Sequence, residues 1–211
     1  AGIIDHETGS RDMRRLNGLW KYMPWTGALA MIASAAMAGV PLLNGFLSKE
    51  MFFAEIIRHQ GHVALQWLLP LGATLAGAFG VAYSLRFIHD VFFNGQPVGL
   101  TKVPHEPPRF MRITVEMLVV ACLAVGLTPD WTIAHVLAVG ARGALHGGIG
   151  GTLPAYSLAI WHGLNLPLLM SAIALITGVA LYFSLHRWVN LHRLDSTPAL
   201  PKHGGRDVFL I

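Results

Sequence analysis

Two long stretches without charged side chains constrain this chain more than any other feature. Residues 22 to 48 are 27 positions with neither an acid nor a base, and residues 66 to 85 contain no charged residue either. A helix crosses a hydrocarbon core about 30 Å thick with about 20 apolar residues, because each residue adds about 1.5 Å of length. Each stretch is therefore long enough to cross a bilayer as a helix.

The composition also indicates that lipid is the main solvent of the chain. Hydrophobic residues make up 54% of the sequence and charged residues only 12%, whereas soluble domains average about 25% charged residues. The basic residues are scattered along the chain, so no clustered charge indicates a nucleic-acid partner. We predict an all-α membrane protein of about five transmembrane helices, one of them broken between Pro41 and Lys49.

Prolines, glycines and charged residues divide the chain into segments. Residues 1–22 are interpreted as the end of a preceding helix and a polar surface loop, residues 23–185 as the helix bundle, and residues 186–211 as a polar tail. The predicted helices cover residues 23–39, 40–59, 64–93, 110–127 and 157–185. Residues 131–155 are predicted to form a short helix, crossing or lying on the membrane, and then a loop. The chain has no initiator methionine and is expected to be a fragment of a longer protein.

The boundary between the first two predicted helices lies inside an apolar run. Pro41 lacks the amide hydrogen that a helix interior needs, and Gly45 tolerates unusual backbone angles. Irregular backbone at membrane depth is tolerated where it is buried in protein or lines a water-filled cavity. We therefore expect a broken helix, with its break at Pro41 and Gly45, beside a polar cavity.

Lys49 is the strongest candidate for a residue on an ion path. It follows the 27 uncharged residues, and a lysine at a helix centre in the membrane costs about 3 kcal/mol, so such residues usually mark ion pathways. Glu50 and Glu55 follow in the same predicted helix and could hold or release the ammonium group. The alternative is a short helix in which Lys49 reaches the lipid headgroups and both glutamates are ordinary interfacial charges.

The complete predicted ion or proton path combines polar residues of the broken helix with a histidine at the start of the last predicted helix. It consists of Lys49, Glu50, Ser48, Asn44, Glu55 and His162.

Other polar residues have simpler interpretations. The third predicted helix ends in a polar group, Arg86, His89 and Asp90. Glu116 is interpreted as the partner of Arg112 at a helix start, because the two are four positions apart.

Neither a metal nor any other cofactor is predicted. Glu55, His59 and His62 have spacings that a metal site at a helix end could use, but the signal is weak and no HExxH motif occurs. Motifs for nucleotide binding and for serine hydrolysis are also absent from the sequence.

Three segments carry a family resemblance: GIIDHETGSRDMRRLNGL, MAGVPLLNGFLSKEMFFAE and WHGLNLPLLMSAIAL. They resemble the A-type subunits of the multisubunit Na+/H+ antiporters of the Mrp type and, more distantly, the antiporter-like membrane subunits of respiratory complex I. Both groups share a GF(L/F)SK(D/E) signature, and the WHGLNLP segment favours the Mrp type. The resemblance covers residues 1 to 194 and corresponds to the C-terminal half of the antiporter-like domain.

The resemblance implies a proton channel with two inverted repeats, each containing a broken helix. It places the lysine of the second half-channel at Lys49 and its acidic neighbour at Glu50. It also implies a secondary antiporter for Na+ or K+ and protons, not an enzyme, as a multi-pass protein of the bacterial plasma membrane. The implied partners are the other antiporter subunits, the remaining parts of the same subunit and the lipid bilayer.

Three other classes stay open at this point. A proton-pumping subunit of NADH:quinone oxidoreductase or of a related hydrogenase would use the same lysine. A membrane metal enzyme would need Glu55, His59 and His62 to bind a metal ion. A structural scaffold would transport normally when Lys49 is replaced by alanine.

Overall fold

The computed structural model describes residues 2–13, 15–58, 62–146 and 163–189. Within these ranges all regular structure is helical, so the predicted all-α class is confirmed. A 3-10 turn covers Leu19–Lys21 and a π-helical turn covers His89–Phe93. The α-helices are α1 (Gly2–Thr8), α2 (Pro24–Ala38), α3 (Asn44–Arg58), α4 (Val63–Ile88), α5 (Arg109–Leu127), α6 (Pro129–Thr132), α7 (Ala134–His146) and α8 (Leu166–Val189).

Three helical segments in the described part of the chain are long and apolar enough to cross a membrane: Val63–Phe93, Arg109–Leu127 and Leu166–His186. Helix α2 is also apolar but shorter. Large apolar side chains such as Trp67, Phe110 and Leu118 are exposed on these segments. Such a surface is stable against lipid or against another protein, and it is the surface expected of a membrane bundle.

Helices α4 and α8 pack side by side and run in the same direction. Gly77 lies against Ala174, and Val81, further along α4, lies against Gly178, further along α8. A Cβ atom on Gly178 would lie only 2.6 Å from the Cβ atom of Val81. Small residues thus allow the two helices to approach closely, as is common between helices in membranes.

Helix α2 runs opposite to α4. Gly27, near the start of α2, lies against Phe92, which follows α4, whereas Gly39 and Gly80 both lie beside the side chain of Lys49. The end of α2 therefore faces the middle of α4, and its start faces the residues after α4.

Helix α5 runs in the same direction as α2. The indole Nε1 of Trp25 donates a hydrogen bond to Glu116 Oε1 at 2.7 Å, near the beginning of both helices. At the other end, the thiol of Cys122 lies 2.9 Å from Asn44 Oδ1, just beyond α2. Together α2, α4, α5 and α8 form the frame that holds α3.

Residues 39–43 separate α2 from α3 and form a helix-ending turn. Gly39 is in the left-handed conformation, with φ 79° and ψ 39°. Its amide donates to the Ala36 carbonyl, and the amide of Val40 donates to the Ala35 carbonyl, each at 3.0 Å. This pair of hydrogen bonds is a Schellman motif, which satisfies the last carbonyl groups of a helix.

The same turn moves the start of the second predicted helix. We expected that helix from residue 40, but α3 begins at Asn44 because the turn continues through Pro41 and Leu42. Leu42 adopts φ 71°, an unfavourable angle for a residue with a side chain. The backbone is thus irregular next to the predicted break at Pro41.

The segment before α2 is packed rather than exposed, which corrects the expectation of a surface loop. Its buried residues are Ile4, Glu7, Thr8, Leu16, Asn17 and Leu19. Glu7 Oε2 lies 2.6 Å from His105 Nδ1, and Lys102 Nζ donates to the His6 carbonyl at 3.1 Å. The segment is buried because residues of the loop between α4 and α5 cover it.

Helix α8 extends to Val189, beyond the residue 186 at which a polar tail was expected. The predicted beginning of that helix, at residue 157, lies outside the described residues.

Glu106, in the loop before α5, caps the N-terminus of α2. Its Oε1 accepts hydrogen bonds from the amides of Trp25 at 2.7 Å and Thr26 at 3.3 Å, and its Oε2 accepts one from the Thr26 hydroxyl at 2.8 Å. The first amides of a helix have no partner within the helix, and the helix dipole favours a negative charge there. The carboxylate therefore ties the loop to α2.

Replacing Glu106 by alanine is expected to lower the free energy of unfolding by about 1 to 2 kcal/mol, because two helix amides lose their acceptor. Thermal unfolding in detergent measures the difference. Glu55→Ala is the matched control, since Glu55 is exposed and lies 3.5 Å from Arg58, and exposed ion pairs contribute about 0.2 to 1 kcal/mol. Equal loss of stability in both variants would contradict a capping role for Glu106.

Candidate functional site

Lys49 lies on α3, and its side chain reaches back across the turn to α2. The Nζ atom donates a hydrogen bond to the carbonyl of Ala38, the last residue of α2, at 2.7 Å. Carbonyl groups in the last turn of a helix lack helical partners and carry the negative end of the helix dipole. The ammonium group is therefore held at the C-terminal end of α2.

Two glycines leave room for this lysine side chain. A Cβ atom on Gly39 would lie 2.6 Å from Cδ of Lys49, and a Cβ atom on Gly80 would lie 3.9 Å from its Nζ atom. Gly80 is near the middle of the Val63–Phe93 segment, which is long enough to cross a membrane. The half-buried ammonium group of Lys49 thus lies beside the midpoint of an apolar helix.

Gly45 brings the first turn of α3 against the last turn of α2. A Cβ atom at this position would overlap the carbonyl oxygen of Ala36. On the other side, a Cβ atom on Gly126 of α5 would overlap the backbone of Leu42 and Leu43. The turn between α2 and α3 is therefore enclosed by close backbone contacts on two sides.

The other residues of the predicted path have different surroundings. Glu50 is buried, with 6% of its surface exposed. Ser48 is exposed and donates to the Asn44 carbonyl at 3.1 Å. Glu55 is exposed and pairs with Arg58. The structure therefore keeps four of these residues near the start of α3, whereas Glu55 faces outward.

The remaining path residue, His162, lies outside the described residues, and so does His59 of the alternative metal site. The sequence suggests Glu50 and Glu55 as carboxylates that could hold the Lys49 ammonium group. The structure adds an acceptor on another helix, the Ala38 carbonyl. The sequence does not reveal this contact, because it uses the backbone of a neighbouring helix.

The predicted pair of Arg112 and Glu116 is confirmed, with Nε and Oε1 2.8 Å apart. Glu116 also accepts the hydrogen bond from the indole of Trp25. The guanidinium group of Arg112 lies 5.6 Å from the ring centre of Trp25, a favourable cation–π distance. These three residues fasten the start of α5 to the start of α2.

A second polar group was interpreted from the sequence only as the end of a helix. Asp90 is buried, with 5% exposed, and Arg86 Nε lies 3.4 Å from its Oδ2 atom. The hydroxyl of Tyr182, on α8, lies 2.7 Å from Nδ1 of His89. The sequence signal was an acidic residue close to a long apolar run. Tyr182, the residue of α8 that contacts His89, is more than 90 positions away in the sequence, so this contact is visible only in the fold.

Comparison with known proteins shows which family the chain resembles in sequence. Residues 1–74 match the family described as NADH:quinone oxidoreductase/Mrp antiporter, transmembrane. The chain is 55% identical over 189 residues to a probable K+/H+ antiporter A/B subunit of Rhizobium meliloti, covering 90% of this chain and 18% of that protein. It is 36% identical over 201 residues to the A-type Na+/H+ antiporter subunit of Bacillus subtilis, covering 92% of this chain and 25% of that protein.

The fold is also similar to a solved structure. A chain in the structure of the Mrp complex from Dietzia sp. DQ12-45-1b matches with a TM-score of 0.68 and 29% sequence identity, over 99% of this chain and 21% of that chain. The present chain thus spans about a fifth to a quarter of the length of these relatives. It is part of a multi-pass membrane protein of the bacterial cell membrane, and it belongs to the NADH:quinone oxidoreductase/Mrp antiporter family.

Proposed function

We propose that this chain is part of a subunit of a monovalent cation/proton antiporter, and that it contributes a proton or ion half-channel centred on Lys49. The relatives named as K+/H+ and Na+/H+ antiporter subunits support the class of activity. The observation that carries the proposal is the ammonium group of Lys49, held by the Ala38 carbonyl beside the middle of α4. The cation moved is Na+ or K+, and the driving force is the proton gradient.

The chemistry of the site supports an exchange of charge at Lys49. An ammonium group away from bulk water is costly unless a partner stabilises it, and here a helix C-terminus does so. A cation that enters nearby repels the ammonium group and favours release of its proton. Proton binding and cation binding at neighbouring positions would then oppose each other, as antiport requires.

The rest of the path is proposed from the residues around Lys49. Glu50 offers a buried carboxylate in the next position of α3, and Ser48 and Asn44 offer polar groups near its start. Glu55 and His162 are proposed to extend the path toward the two surfaces of the membrane. The chain acts as a transporter subunit without a chemical reaction of its own, together with the other subunits and with the remaining parts of its own subunit.

A second candidate function shares the same lysine. The family description names NADH:quinone oxidoreductase beside the Mrp antiporters, so a proton-pumping membrane subunit of such an enzyme, or of a related hydrogenase, is the alternative. In that case the energy would come from a redox reaction elsewhere in the complex and not from a cation gradient.

Transport by the intact complex separates the two functions. The complete complex containing this chain is expressed in a bacterium that lacks its own antiporters, and everted membrane vesicles are acidified by respiration. Addition of NaCl or KCl is expected to dissipate the pH gradient, seen as recovery of acridine-orange fluorescence, while vesicles without the complex respond little. A correctly inserted complex that ignores both cations, but builds a gradient when it is purified into liposomes and given NADH or hydrogen, would contradict the antiporter.

A further inference from the structure

The described part of the chain contains one group of metal-binding side chains, and it lies away from Lys49. One ligand atom each from His89, Asp90 and His186 can be chosen so that all lie within 4.8 Å of one another. His89 and Asp90 begin the π-helical turn after α4, and His186 is on α8. π-helical turns are rare and are often found at functional sites.

Neighbouring side chains hold two of the three residues, His89 and Asp90, in place. Asp90 is buried and lies 3.4 Å from both His89 Nδ1 and Arg86 Nε. Tyr182 is also buried, and its hydroxyl lies 2.7 Å from His89 Nδ1. Such neighbours fix the orientation of a ligand ring, as the groups around a metal site usually do.

The cluster is open on one side. His89 and His186 are partly exposed, and their ring centres are 5.1 Å apart. A metal ion could therefore reach the two imidazoles from the end of the bundle, while the carboxylate of Asp90 lies deeper. Two imidazoles and one carboxylate leave a fourth position for water, which is the usual arrangement of an open zinc site.

We propose that His89, Asp90 and His186 form a binding site for a transition-metal dication of the zinc class. Nitrogen ligands suit zinc, cobalt and nickel, whereas calcium and magnesium prefer sites made only of oxygen. Ligand bonds of about 2.0 to 2.2 Å require ligand atoms about 3.5 Å apart in a tetrahedron. His89 Nδ1 and Asp90 Oδ1 are already 3.4 Å apart, so a small rotation of the partly exposed His186 side chain closes this gap. The positive charge of Arg86, beside Asp90, works against metal binding.

Occupancy of this site would join α4 to α8. The two helices already pack at Gly77 and Gly178, and a metal ion would add a second fastening at their ends. This inference does not rest on the proposed antiport. It also departs from the sequence-based expectation of a chain without metal, because the histidines come from helices that are distant in sequence.

Metal content and spectroscopy test the proposal. The intact complex is purified in detergent, stripped with a chelator and dialysed against Zn²⁺ or Co²⁺. The wild type is expected to retain one more Zn²⁺ per complex than the His186→Ala variant, measured by mass spectrometry of the metal. With Co²⁺ it is expected to show the intense visible absorption of a tetrahedral ion, which Zn²⁺ removes by competition.

Two variants and one control decide the outcome. Asp90→Asn keeps the shape of the side chain and is expected to weaken Zn²⁺ binding at least tenfold, whereas His135→Ala, at an exposed position of α7, leaves it unchanged. Zn²⁺ is also expected to raise the unfolding temperature of the wild type but not of Asp90→Asn. Failure of the wild type to bind the extra ion, or equal binding by Asp90→Asn, would overturn the site and leave only a hydrogen-bonded cluster.

Discussion

Replacing Lys49 by alanine is expected to lower the rate of cation-dependent proton movement by the intact complex at least tenfold. The substitution removes the ammonium group that lies beside Gly80 of α4 and that the proposed half-channel uses to bind and release a proton. A tenfold loss corresponds to about 1.4 kcal/mol in the barrier to transport. The measurement is the recovery of acridine-orange fluorescence in everted vesicles after addition of NaCl or KCl, with the amount of inserted complex determined in the same membranes.

Lys21→Ala is the matched control, because Lys21 is exposed in the 3-10 turn before α2. The same substitution there is expected to leave the rate within about twofold of the wild type, since surface changes away from buried contacts have small effects. Normal transport by a correctly inserted Lys49→Ala complex would contradict the half-channel and favour a scaffold.

Lys49→Arg separates the placement of a charge from the exchange of a proton. Arginine keeps the positive charge at the end of α2, but its guanidinium group stays protonated in proteins. If Lys49 must release its proton, Lys49→Arg is expected to be as inactive as Lys49→Ala. Wild-type activity of Lys49→Arg would mean that the site needs only a fixed positive charge.

Gly45→Ala is expected to destabilise the protein by about 1 to 3 kcal/mol, the usual range for overpacking. Helix propensity alone predicts the opposite, because alanine is favoured over glycine within a helix by about 0.8 to 1 kcal/mol. The new Cβ atom would overlap the carbonyl oxygen of Ala36, and neither backbone can move without opening the contact between α2 and α3. Thermal unfolding in detergent measures the loss.

Gly140→Ala is the matched control, since a Cβ atom at this position of α7 meets nothing within 4 Å. This variant is expected to be as stable as the wild type or slightly more stable. Gly45→Ala should also slow transport, because the shift of α3 moves the Lys49 ammonium group away from the Ala38 carbonyl. If both glycine variants unfold at the same temperature, close contact at Gly45 does not hold the two helices together.

Much of the architecture follows from local properties of the sequence. The uncharged stretch before Lys49 predicts apolar helices, and Pro41 predicts an interruption within it. The interruption leaves α2 with 15 residues, so this helix is shorter than the three membrane-length segments. The two helices on either side of the interruption end and begin a few residues from the expected boundary. A Schellman motif at Gly39 and Val40 ends α2, and an irregular turn then continues through Leu42. The pairing of Arg112 with Glu116 was also predictable, since it depends only on helical spacing.

The contacts between distant segments could not be predicted in the same way. The acceptor for Lys49 is a backbone carbonyl, so no side chain in the sequence identifies it. His89 meets Tyr182 only because α4 and α8 run parallel in one particular register. Glu7 is buried because a loop almost one hundred positions later folds over it. These features depend on the arrangement of whole helices, which residue spacing does not determine.

The parallel course of α4 and α8 has a consequence for the route of the chain through a bilayer. Between two membrane spans that point the same way, the chain must cross the bilayer an odd number of times. Helix α5, which runs opposite to α4, supplies one return. The start of α8 and the end of α5 therefore lie at the same face of the bilayer.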